Sequence, residues 1–276
     1  MDNTKAINTI SFFTGYGGIE RGLKLAGERV NHIASCEIEA YAEANLIHKM
    51  EAGALPPHPI YTDAKTFPGA DFLGKVDLFT GGFPCQPFSA AGSRNADEDP
   101  RHLWPSCLRA IESFRPNRVF LENVEGLISA KLGGDNWADP KGTPVLLHVL
   151  RELERRGYKA TWGIFSAEEV GAPHRRKRVF ILAQSDREGS HGQLWDSSKG
   201  QERRKEERRY SAQESIWPTR PGERQGPNEQ PRVKPKLGRA VNGNPHRVDR
   251  LRLLGNGVVP QTAALAWMEL NRRLNG

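Results

Sequence analysis

A short β-rich run, Ile7 to Phe13, passes through Thr14-Gly15-Tyr16-Gly17-Gly18 directly into a helical stretch, Ile19 to Ala26. A strand that turns on glycines into a helix opens an α/β layer fold, because parallel strands need helical crossovers between them. Residues 1–183 keep that rhythm. His32 to Cys36, Val76 to Thr80, Arg118 to Leu121, Tyr158 to Phe165 and Arg178 to Ala183 read as strands. Helical spacing runs over Glu39 to Met50, Leu103 to Phe114 and Val145 to Arg156, where Leu146, Val149, Leu150 and Leu153 share one face. The alternation predicts a mostly parallel sheet with helices on both faces.

The character changes after Gln184. Ser185 to Pro245 carries charge runs such as Glu-Arg-Arg-Lys-Glu-Glu-Arg-Arg (202–209), many Pro and Gly, and few aliphatics. The formal net charge is +7, and Asp186 to Arg252 holds 16 Lys or Arg against 10 Asp or Glu, a net of +6. Nearly the whole excess therefore sits in one quarter of the chain. That stretch reads either as a solvated insertion or as a surface for a polyanion. Order returns with Arg247 to Leu254, Gly255-Asn256-Gly257 and a closing helix, Gln261 to Leu274. The predicted organisation is a catalytic and cofactor-binding domain over 1–184, a short variable region over 185–245, and a segment over 246–276 that returns to the first domain.

Three cysteines, Cys36, Cys85 and Cys107, are too few and too irregularly spaced for a disulfide framework or a zinc site. A reducing cytoplasm fits them. The opening residues carry no signal-peptide pattern, and no apolar run approaches the length of a membrane span.

The glycine loop lets a ligand approach the backbone, and the helix start behind it favours an anionic group. Glu20 stands where a third glycine would complete G-x-G-x-x-G, which argues against a nicotinamide or flavin dinucleotide. Glu37 ends the second strand 20 residues after Gly17, a place suited to a ribose diol. Asp63 could accept from an adenine amino group. Together they outline a nucleoside with a charged tail, the shape of S-adenosyl-L-methionine.

At the other end lies Gly81-Gly82-Phe83-Pro84-Cys85-Gln86-Pro87-Phe88-Ser89. Two prolines stiffen this loop while two glycines open it, and neither suits the packed interior of a strand. A thiol placed there is a candidate nucleophile. Glu122 and Asn123 end the next strand, and strand ends of a doubly wound sheet gather on one edge. A thiol beside a carboxylic acid suits addition to a ring with proton transfer to it. Pro173-His174-Arg175-Arg176-Lys177-Arg178 precedes the last strand, and strand alternation would send Arg176 and Arg178 to one side.

These motifs resemble those of the DNA (cytosine-5)-methyltransferases, in the family's order and over nearly the full length. The matching runs are Phe13 to Gly18, Gly82 to Ser89, Glu122-Asn123-Val124, Arg175 to Arg178 and Gly255-Asn256-Gly257-Val258. The resemblance implies a Rossmann-like S-adenosylmethionine-dependent methyltransferase fold with a small target-recognition lobe over 185–245. It implies a cytosine flipped out of double-stranded DNA, Cys85 adding to C6, and Glu122 holding and protonating N3. Carbon 5 would then take the methyl group, and loss of its proton would expel the thiolate. Arg178, with Arg176, would contact the base or brace Glu122. Gln86, Ser89 and Asn123 would meet the substrate. Phe13, Gly15, Tyr16, Gly17, Gly18, Glu37, Ile38, Asp63, Pro84, Leu103, Asn256 and Val258 would surround the cofactor.

The chain departs from the family at several places. Ser11 stands where Asp is common, His174 where Gln is usual, and Gly257 where Ser or Ala is frequent. A tRNA cytosine-5 methyltransferase would share the core motifs, although Phe83 stands where such enzymes tend to have a second Pro. A catalytically inactive DNA-binding relative is the other alternative. The expected setting is a monomeric cytoplasmic enzyme of a bacterium or phage, of the restriction-modification kind, with no metal.

Overall fold

Alternation along the central strands divides the core in two. In β1 (Ile7–Phe12), Ile10 and Phe12 belong to one apolar cluster, and Thr9 and Ser11 alternate to the opposite face. In β4 (Leu78–Gly81), Phe79 joins the cluster of Ile10 and Phe12, while Leu78 joins the second. All four residues of β4 are buried, as expected for a strand covered on both faces. The computed structural model describes residues 6–84, 103–132, 142–186 and 255–275.

The remaining elements are α1 (Gly18–Leu25), β2 (Val30–Cys36), α2 (Ala40–Glu51), β3 (Ile60–Tyr61), α3 (Trp104–Phe114), β5 (Arg118–Val124), β6 (Lys131–Leu132), β7 (Thr143–Pro144), α4 (Val145–Glu154), β8 (Tyr158–Ser166), β9 (Lys177–Ser185) and α5 (Pro260–Asn275). Seven strands form one sheet in the order β3-β2-β1-β4-β5-β9-β8. β9 runs antiparallel to both its neighbours, and the others run parallel to one another. The mostly parallel sheet read from the sequence is therefore present. The short strand β3 and the small β6–β7 pair are not visible in the apolar pattern.

On one face, Cys107, Ile111 and Phe114 of α3 and Val149 and Leu153 of α4 pack against Phe12, Phe79, Val119 and Leu121. On the other, Ile19 and Leu23 of α1 and Ala263, Trp267 and Leu270 of α5 cover Leu78, Phe120, Phe180 and Leu182. α1 and α5 touch closely because Gly22 has no side chain. A Cβ there would lie 2.6 Å from the Ala263 Cβ and 2.7 Å from the Pro260 carbonyl oxygen. α5 thus brings the late part of the chain back onto the first helix, and the loop before α5 reaches the edge where the strands end.

Strand order reverses between β1 and β4, which is where a doubly wound sheet opens a crevice beyond its strand ends. The glycine loop follows β1, the Phe83-Pro84 segment follows β4, and Glu122 and Asn123 lie at the end of β5. The sheet alone gathers these three segments.

Candidate active site

Phe13 follows β1 with φ +55°, a left-handed conformation that costs a bulky residue energy and is held by its surroundings. Its N–H donates to the Cys36 carbonyl at 2.8 Å, and the Gly17 N–H donates to the Thr14 carbonyl at 2.9 Å. The Thr14 hydroxyl closes the turn on the Ser11 carbonyl at 3.1 Å. The loop is thus supported by backbone acceptors, with Ser11 taking part through its carbonyl oxygen. Gly15 (φ +55°) donates its N–H to Glu37 Oε2 at 2.7 Å, and Glu37 Oε1 accepts from the Glu39 N–H at 2.9 Å. Glu37 is buried and fixed before any ligand arrives, and a carboxylate with two such bonds still has lone pairs for a diol.

The late motif closes over this loop. A Cβ on Gly18 would stand 2.5 Å from the Val258 carbonyl oxygen, so glycine permits the contact. The Tyr16 hydroxyl donates to that same carbonyl. Arg176 reaches the motif from the opposite side, donating Nη1–H to the Gly255 carbonyl at 2.7 Å and Nη2–H to the Gly257 carbonyl at 2.6 Å.

A cleft of about 530 Å³ opens between these parts, within the range of small-molecule sites. Of the expected cofactor residues, Phe13, Gly15, Tyr16, Gly18, Glu37, Ile38, Pro84, Leu103, Asn256 and Val258 line it. Gly17 caps α1 behind the loop with φ +78°. Asp63 follows β3 and is not among the lining residues; its Oδ1 accepts from the Lys65 N–H at 2.8 Å. Glu20, Tyr41, Gly82 and Phe83 line the cleft without having been singled out for it from sequence. Glu20 carried a signal: it sits on the inward side of an amphipathic helix, three residues before buried Leu23.

The far wall holds Glu122, Asn123 and Arg178. Arg178 Nε lies 3.0 Å from Glu122 Oε1, an ion pair whose N–H is not aligned as a hydrogen bond. Burial raises the Glu122 pKa to about 7, against the opposing pull of Arg178 and then Arg176. Gly82 leaves room for the other oxygen: a Cβ there would stand 3.3 Å from Glu122 Oε2. Asn123 spends its amide within the protein. Nδ2 donates to the Phe83 carbonyl at 2.8 Å and Oδ1 accepts from the Val124 N–H at 2.8 Å. It ties the segment leading to Cys85 to the end of β5.

Arg176 and Arg178 do not share a strand face. β9 begins at Lys177, and Arg176 precedes it with φ +22°, so alternation does not reach it. The Arg178 guanidinium pairs with Glu122, while that of Arg176 bonds the late motif and acts on Glu122 through space. Cys85, Gln86 and Ser89 lie outside the described residues, as do 187–254. The other two cysteines are core residues. Burial pushes the Cys36 thiol up to about 12 and raises Cys107 further.

Among the described residues no helix is long and apolar enough to cross a membrane, and no cluster of His, Cys, Asp or Glu could hold a metal ion.

Sheet order and glycine loop define a Rossmann-like fold. The Dnmt2 methyltransferase of S. pombe shares this fold, with a TM-score of 0.52 at 22% identity over 69% of this chain and 57% of that one. The model of the C-5 cytosine-specific DNA methylase family matches residues 7–237, and the chain belongs to that family. Relatives include the Type II methyltransferase M.NgoMIV of Neisseria gonorrhoeae, 31% identical over 63% of this chain and 51% of its own length. Type II methyltransferase M.BsuRI of Bacillus subtilis is 27% identical over 64% of this chain and 43% of its own. The chain thus spans about half the length of the curated relatives it matches.

Proposed function

We propose that this chain methylates carbon 5 of cytosine in double-stranded DNA, with Cys85 as nucleophile. The observation that carries this reading is the state of Glu122. It is buried at the end of β5, beside the segment that leads to Cys85, with a pKa near 7. An ordinary exposed carboxyl would have lost its proton well below neutral pH. Glu122 can hold a proton at the pH where the enzyme works and share it with a ring nitrogen.

The residues of the cleft fit S-adenosyl-L-methionine. Phe13 and Ile38 offer apolar surface to a base, Glu37 offers a fixed carboxylate to a ribose, and the Asn256 and Val258 segment closes the opposite side. When bound, the cofactor supplies the electrophilic methyl group. Everything else falls to the chain. Cys85 would add to C6 of the flipped base, and Glu122 would neutralise the charge that develops at N3. Arg178 would orient Glu122 and face the base. Two of the three thiols are buried with raised pKa, which supports Cys85 as the nucleophile. Gln86 and Ser89 would meet the base or the strand, and the basic region over 185–245 would select the sequence. Asn123 acts here as a positioning residue, and Arg176 holds the late motif.

Methyl transfer from labelled S-adenosylmethionine onto duplex DNA of random sequence and onto tRNA, run in parallel, tests the reading. Label at carbon 5 of cytosine in the duplex is the expected result. Label on tRNA alone overturns the substrate, and duplex binding without transfer makes the chain a binding module.

A further inference from the structure

We propose that Glu20 binds the ammonium group on the methionyl tail of the methyl donor, an inference that rests on the S-adenosylmethionine reading above. Glu20 is only 2% exposed, yet it lines the cleft. Oε1 accepts from the Thr80 hydroxyl at 2.8 Å, and Oε2 lies 3.7 Å from where a Gly17 Cβ would stand. The register of the sheet sets Thr80 beside Ser11, so the carboxylate rests over adjoining ends of β1 and β4, under the glycine loop. Ser11 is uncharged, and Glu20 is the buried acid of that corner.

No ion pair reaches Glu20 among the described residues. Lys49 acts on it only through space and donates its own Nζ–H to the Tyr16 carbonyl. His32 also faces it, and burial lowers that imidazole to about 4, leaving it neutral. A carboxylate removed from water without a cation in contact is costly, and a cationic ligand group would relieve that cost. Two carboxylates therefore flank one loop: Glu37 accepts from Gly15 at one end, and Glu20 lies beside Gly17 at the other. With the ribose at the first, the amino-acid tail falls to the second. An ammonium brings three N–H donors to such an acceptor, whereas a sulfonium brings none.

Glu20→Gln removes the charge and keeps an amide oxygen to accept from Thr80. Calorimetry on the full chain should compare S-adenosylmethionine, S-adenosylhomocysteine and 5′-methylthioadenosine, which lacks the tail. The variant should lose at least about tenfold in affinity for the first two and less than about twofold for the third, since a charge-assisted bond is at stake. Equal losses on all three, a loss confined to the sulfonium compound, or no loss would each overturn the proposal. Should Glu20→Gln fail to fold, Glu20→Asp is expected to show a smaller loss on the same two ligands only. A wild-type chain that binds none of the three refutes the cofactor reading itself.

Discussion

Arg178 Nε stands 3.0 Å from Glu122 Oε1, across the antiparallel pair that β9 makes with β5. Two effects meet in that contact. The guanidinium favours the charged carboxylate, and burial favours the neutral acid. Burial wins, leaving Glu122 near 7 where an exposed carboxyl sits near 4.5.

The pH dependence follows from that balance. A raised pKa means that Glu122 carries its proton below about 7 and loses it above. The single-turnover rate at saturating DNA should therefore fall along an alkaline limb with its midpoint near 7. Arg178→Gln removes the cation that lowers Glu122, so the limb should move to higher pH while the rate drops roughly 10²-fold or more. An unmoved limb would detach the pH dependence from this pair.

Arg176 spans two carbonyls of the late motif with two nitrogens. Arg176→Ala frees Gly255 and Gly257 and should weaken cofactor binding by about tenfold, with each lost charged bond worth roughly 1.5–3 kcal/mol before relaxation. Arg176→Lys should not restore it, because an ammonium lacks the planar fork. Isothermal titration with S-adenosylhomocysteine reads both.

Asn123 holds the Phe83 carbonyl, two residues before Cys85. Asn123→Ala leaves that buried acceptor unpaired at a cost of about 1–3 kcal/mol. Turnover should fall more than cofactor affinity, because the glycine loop is untouched and only the Phe83-Pro84 wall of the cleft is released. Separate measurements of kcat and cofactor Kd distinguish this from general unfolding.

Gly22→Ala presses a methyl group into Ala263 and Pro260 and should cost about 1–3 kcal/mol of stability. Gly255→Ala is the control, since a Cβ there meets nothing within 4 Å. Thermal melts of the two variants should differ by several degrees.

Much of this was legible in the residues, and the reasons differ from place to place. The sheet was readable because its strands are short, apolar and punctuated by glycine loops. Glu37 and Glu122 were readable because strand ends are where such folds place their chemistry. Arg176 was misread: alternation presumes extended backbone, and its φ of +22° breaks that premise one residue before β9. Asn123 lines the cleft as its strand-end position implies, but its tie to the Phe83 carbonyl, 40 residues away, is one that only the fold brings about. Glu20 was read as a missing glycine, since its partner Thr80 is 60 residues distant.

Attack of Cys85 on a cytosine ring in duplex DNA is the step on which the proposed function turns. Incubation with S-adenosylmethionine and a duplex library carrying 5-fluorocytosine tests it most directly, because fluorine cannot leave as a proton does and the addition product persists. The expected result is a denaturation-resistant protein–DNA adduct that maps to the peptide containing Cys85 and is absent from Cys85→Ser. A chain that binds the cofactor and the duplex yet forms no adduct, or a Cys85→Ser variant that still forms one, would contradict it.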